Sequence, residues 1–145
     1  MVAEDTLSKL KTLHMVKEVQ IAAPADVVFE TILEPHGPMK DMNMKLEAWV
    51  GGRWFRDLGN NTGHLWGHVQ VIKPPKLLEL IGPTMMSYPV ASHIQYRLTE
   101  QDGGTLLKFT HQAFGFIESG LQDNVSKGWG ELLNQIRATA EKKRG

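Results

Sequence analysis

The stretch Gly51–Gly67, GGRWFRDLGNNTGHLWG, limits the folds open to this chain more than any other. Paired glycines lead into an aromatic segment, Gly59, Asn60, Asn61 and Gly63 follow, and a second aromatic segment closes the run. Glycine enters a strand where the backbone bends sharply or lies close to a neighbour, and Asn and Gly tolerate positive φ in tight turns. The stretch therefore predicts a strongly curved hairpin carrying large aromatic side chains. A curved antiparallel sheet of this kind wraps around a long helix or a cavity.

The rest of the chain reads as strand, helix, sheet, helix. Residues 1–14 are polar with scattered leucines and are expected to form an N-terminal arm, leaving 15–145 as a single domain. VKEVQI at 16–21 is short and β-branched, and Ala22-Ala23-Pro24 fits a helix start in which the missing proline N–H costs nothing. Val28, Phe29, Ile32 and Leu33 follow at helical spacing until Pro35, Gly37 and Pro38 stop the helix, and residues 39–44 are expected to form a short turn or loop. Strands are predicted at about 45–50, 52–58, 63–73, 76–82, 87–99 and 104–113, with Pro74-Pro75 and Asp102-Gly103-Gly104 as turns. From Glu118 to Lys143 no proline occurs, and Leu121, Val125, Trp129, Leu132, Leu133, Ile136 and Ala140 recur at helical intervals as one apolar stripe. Gly128 and Gly130 flank Trp129. Because glycine weakens a helix by roughly 1 kcal/mol relative to alanine, a close approach to the backbone is expected there.

Composition removes several function classes. The 145 residues carry 16 Lys plus Arg and 16 Asp plus Glu, so the broad basic surface of a nucleic-acid binder is absent. No cysteine occurs, which excludes a disulfide framework, a thiolate nucleophile and a Cys-ligated metal, and suits a reducing compartment. No segment has the length of a membrane span or of a signal-peptide apolar run, so a cytoplasmic location is expected. The histidines at 14, 36, 64, 68, 93 and 111 form no helical H-x-x-x-H pair. His64 and His68 have that spacing on a strand, where four residues span about 13 Å, too far for one metal ion. There is no G-x-S-x-G elbow, no phosphate-binding glycine loop after a strand, and no carboxylate pair with acid–base spacing. No metal ligand, cofactor or catalytic residue is assigned.

IAAPADVVFETI, VGGRWFRDLG, GHLWGHVQVIKPPKLLEL, GGTLLKFTHQAFG and GWGELLNQI occur in an order that resembles the SRPBCC, or START-like, superfamily of helix-grip proteins. The branch it most resembles is that of the C-terminal domain of the activator of the 90-kDa heat-shock-protein ATPase, over about residues 15–140. The resemblance implies an α+β fold: a curved seven-stranded antiparallel sheet gripping a long C-terminal helix, two short helices after the first strand, and often an apolar cavity between sheet and helix. The superfamily includes lipid carriers, hormone receptors, polyketide cyclases, oxygenase domains and co-chaperone domains, so fold alone does not choose a function.

Given that fold, strand alternation selects the residues facing the helix. Leu107 and Phe109 share a face with His111; Ile94, Tyr96 and Leu98 point inward, as do Leu65, Val69 and Val71, and Trp54 shares a face with Arg56. Trp66 is sent to the outer face beside His64 and His68, where long side chains or a homodimer contact would cover it. Met39, Met42 and Met44, with Met85 and Met86, are placed near the cavity mouth, where flexible thioethers conform to ligands of varied shape. The expected ligand-binding set is Trp54, Arg56, Met85, Tyr96, Phe109, His111, Trp129 and Leu133, with His111 or Arg56 orienting an apolar or aromatic small molecule. The bland counterpart is that a lone inward His or Arg satisfies a carbonyl or an acid. Two other functions fit the same residues: an interaction module resembling the chaperone activator, with a filled interior, and a cyclase-type enzyme using His111 as acid or base.

Overall fold

A computed structural model describes residues 10–36, 38–86, 89–118 and 120–144. In chain order these form β1 (Lys11–Ile21), α1 (Ala25–Ile32), α2 (Pro38–Asp41), β2 (Met44–Leu46), β3 (Arg53–Gly59), β4 (Thr62–Lys73), β5 (Leu77–Gly82), β6 (Val90–Gln101), β7 (Gly104–Gly115) and α3 (Leu121–Arg144). The strands make one antiparallel seven-stranded sheet in the order β1-β7-β6-β5-β4-β3-β2, which curls around α3. This is the α+β helix-grip fold.

Most of the expected arm at residues 1–14 lies outside the described residues, and its described end is not an arm. Residues 11–14 extend β1, which pairs with β7 from Lys11↔Gly115 to Ile21↔Thr105 and buries Leu13 and Met15. Residues 39–44, expected as loop, contain most of α2 and the start of β2. β2 is only three residues long, so residues 47–52 form a loop rather than the end of a strand. Arg53 holds that loop by donating from its backbone N, Nε and Nη2 to the Glu47 carboxylate at 2.7–2.9 Å. The β3–β4 turn is tight, with Asn60 and Asn61 at φ +52° and +59°, the left-handed conformation these residue types tolerate.

The aromatic strand β4 departs from simple alternation. Trp54 pairs with Gly67 but Phe55 with Leu65, so β4 has one extra residue at Trp66; Val69 pairs with Leu80 but Val71 with Glu79, a second extra residue at Gln70. Each bulge reverses the side-chain phase. Leu65, expected inward, is 44% exposed, whereas Trp66, expected outward, is 6% exposed and belongs to the core. After the second bulge Ile72, not Val71, packs against the core. The homodimer contact inferred from an outward Trp66 thereby loses its basis. A close crossing of backbones beside Trp66 requires glycine: a Cβ on Gly82 would lie 2.4 Å from the Gly67 Cα and from the Trp66 carbonyl oxygen.

α3 buries Val125, Trp129, Leu132, Leu133, Ile136 and Ala140, the stripe expected from helical spacing. Its C-terminal half packs on α1 and β1, where the Ala22 N–H donates to the Glu141 carboxylate at 2.8 Å and Lys143 pairs with Glu34. Lys142, Lys143 and Arg144 in the last turn complement the helix dipole. The expectation of close approach at the helix glycines is not met. Nothing lies within 4 Å of a Cβ built on Gly128, and only the Lys17 side-chain end approaches Gly130, at 3.8 Å.

Candidate ligand groove

Under the middle of α3 the interior is full. Tyr96 meets Phe109 edge-on at 5.1 Å, Phe109 meets Trp129 at 4.8 Å, and His111 stands perpendicular to Trp129 at 5.7 Å. The Trp129 Nε1–H donates to His111 Nδ1 at 3.0 Å. Since indole is only a donor, Nδ1 must be the acceptor, so the imidazole is neutral with its proton on Nε2, which donates to Ser92 Oγ at 3.1 Å. Burial pushes the His111 pKa down to about 4 and pushes the Tyr96 hydroxyl up. Both ring nitrogens of His111 are thus engaged within a closed apolar core.

Two spaces share Met39 and Leu132 in their linings. Toward the sheet is a void of about 30 Å³, lined by Trp54, Tyr96, Met44, Leu80 and Ile136 among others, comparable to the volume of one water molecule. Toward α2 and the first half of α3 is a groove of about 300 Å³. That is the lower end of the range of about 300–1,000 Å³ for small-molecule sites. Its lining comprises His36, Met39, Met42, Trp66 and Met85 together with Leu121, Asn124, Val125, Gly128, Trp129, Glu131 and Leu132 of α3. His36 Nε2 lies 2.8 Å from the Thr31 carbonyl oxygen, to which it donates.

The groove exists because of three local features. The first bulge in β4 turns Trp66 inward, where it meets Trp54 edge-on at 5.1 Å. The Thr84 N–H, donating to the Trp66 carbonyl oxygen at 2.8 Å, fixes the chain that leads to Met85. Gly128, on the same face of α3 as Asn124 and Leu132, leaves helix backbone bare where any other residue would project a side chain.

The structure divides the expected ligand-binding set. Met85 and Trp129 line the groove, and Trp54 and Tyr96 line the small void. Phe109 and His111 lie within the core, both 0% exposed, and line neither space. Leu133 is buried on the flank of α3 turned toward β1, beside Lys17 and Arg137. Arg56 is half-buried in the middle of β3 among Asp57, Asn60 and His64, its Nε without a hydrogen-bond partner. Sequence reasoning placed Met39 and Met42 near the mouth but did not assign Trp66, Gly128, Asn124, Val125 or Leu132 to a site. Among the described residues no group of three His, Asp or Glu side chains is arranged to hold a metal ion, and no helix is long and apolar enough to cross a membrane.

Solved structures share this architecture at low sequence identity. An uncharacterized protein from Rhizobium leguminosarum is 20% identical, with 92% of this chain and 97% of that one covered and a TM-score of 0.68. The Mll3558 protein from Rhizobium loti is 19% identical over 90% and 98% of the two chains, with a TM-score of 0.70. CalU16 from Micromonospora echinospora is 21% identical over 90% and 77%, with a TM-score of 0.64. No curated protein matches the sequence. Residues 22–141, most of the chain, match the family described as activator of Hsp90 ATPase homolog 1-like protein, and the chain belongs to that family.

Proposed function

We propose that this protein binds a small apolar or aromatic molecule in the groove between α2 and the first half of α3, in a role that is not catalytic. The observation that carries this reading is a groove of about 300 Å³ walled by three methionines and two tryptophans, with bare helix backbone at Gly128. Affinity would come from burial of apolar surface, roughly 25 cal/mol per Å². Flexible thioethers would adapt the walls to the occupant. His111, the acid–base candidate, has both nitrogens engaged in the core, which supports binding over turnover. A cytoplasmic site of action belongs to the same proposal.

Gly128→Leu tests it, because a side chain there enters open space and improves helix propensity. The variant should melt no lower than wild type yet bind a naphthalene sulfonate at least tenfold more weakly by fluorescence titration. Equal affinity in the two proteins would refute this location for the site. A second reading, an interaction module resembling the heat-shock-ATPase activator, draws support from the filled interior under α3.

A further inference from the structure

Trp66 is 6% exposed, lines the groove, and has an indole Nε1 that is closed to solvent without a hydrogen-bond partner. Indole nitrogen can only donate, so the sole way to satisfy it is an incoming acceptor. Buried donors left unpaired are rare because each forgoes its hydration without compensation. A phenylalanine would fill this apolar position without that cost. The polar atom is therefore a feature that packing against Trp54 does not explain.

We propose that the groove's ligand is a neutral, flat, apolar molecule carrying a carbonyl oxygen, and that this oxygen accepts from Trp66 Nε1–H. This rests on the binding reading above and names the ligand class for the same groove. Flatness suits the lining: the indoles of Trp66 and Trp129 supply planar apolar surface, and Gly128, beside Trp129 on α3, adds no side chain to fill the space. An anionic ligand is disfavoured because the lining includes Glu131 and holds no Lys or Arg. Met39, Met42 and Met85 line the same space, and their flexible thioethers would have to shift as the ligand enters for its oxygen to reach the buried N–H.

The test uses two neutral probes of nearly equal size, 2-acetylnaphthalene and 2-ethylnaphthalene, on wild type and Trp66→Phe. Wild type should favour the ketone over the hydrocarbon by about tenfold more than Trp66→Phe does, with the hydrocarbon's affinity little changed between proteins. The ratio between proteins cancels the difference in the probes' own hydrophobicity. In ¹⁵N–¹H spectra of wild type, the indole resonance absent from Trp66→Phe should move downfield with the ketone and not with the hydrocarbon. This second readout does not depend on how well the variant folds. Equal probe preference in both proteins together with an unmoved Trp66 indole resonance would overturn the inference while leaving the groove as a binding site. Failure of wild type to bind either probe would overturn both.

Discussion

The neutral His111 buried under Trp129 makes stability depend on pH in a window that can be set from the structure. Protonating Nδ1 would place a second donor against the Trp129 N–H, 3.0 Å away, in a core without solvent. The folded protein therefore resists the proton, and burial pushes the His111 pKa from the ordinary 6.5 to about 4. In the unfolded chain the same imidazole takes up a proton near 6.5. Between these values the unfolded state binds more protons, so the contribution of His111 is complete above pH 6.5 and is lost as pH falls toward 4. At about 1.4 kcal/mol per pH unit the full loss is about 3 kcal/mol. Acidic groups held low by their partners, including Glu79 beside His93 and Glu141 beside the Ala22 N–H, add a separate loss at lower pH. Subtracting the stability of His111→Gln, which keeps those groups, isolates the imidazole. Urea unfolding followed by circular dichroism at pH 7.5, 6.5, 5.5 and 4.5 should show wild type ahead of the variant at pH 7.5, with its lead shrinking by about 2–3 kcal/mol by pH 4.5. A constant difference across that range would show that His111 carries no buried neutral role, and the Trp129–His111–Ser92 arrangement would fall with it.

Three further outcomes follow from named contacts. Trp129→Ala removes the ring that joins Phe109, His111 and the groove wall, and should cost about 3–5 kcal/mol by chemical denaturation; an unchanged midpoint would contradict its central packing. Gly82→Ala puts a Cβ 2.4 Å from the Gly67 backbone at φ +149° and should lower stability by about 1–3 kcal/mol while shifting the emission of Trp66, and a silent substitution would disprove the close crossing. Chelation should leave the melting temperature unchanged, since the described residues hold no metal-ligand cluster. A drop of several degrees would reveal a structural ion.

The fold was legible because its signals are local. The spacing from Leu121 to Ala140 identifies the gripping helix, and Asn60-Asn61 and Asp102-Gly103 mark turns whose residues occupy left-handed backbone conformations. Side-chain direction in β4 was not legible, because an inserted residue leaves no period of its own in the sequence. Whether Trp66 points in or out is decided by which β3 residue pairs with Leu65 and which with Gly67, information held in the partner strand.

The candidate groove lies away from the expected residues for a related reason. Alternation places His111 on the inward face, and it is fully buried, but whether an inward residue meets a ligand or another side chain depends on what the opposite layer delivers. Here α3 delivers the indole of Trp129, which closes the core over His111, and the open space lies instead beside the neighbouring face of the helix at Gly128 and Asn124. Gly128 stood out in the sequence as a costly residue within a helix, and the expected cause was a neighbouring backbone. Instead Gly128 faces open space. In the proposed binding reading an occupant would pack against this bare helix, so the residue that weakens α3 is the one whose enlargement to leucine should separate stability from binding.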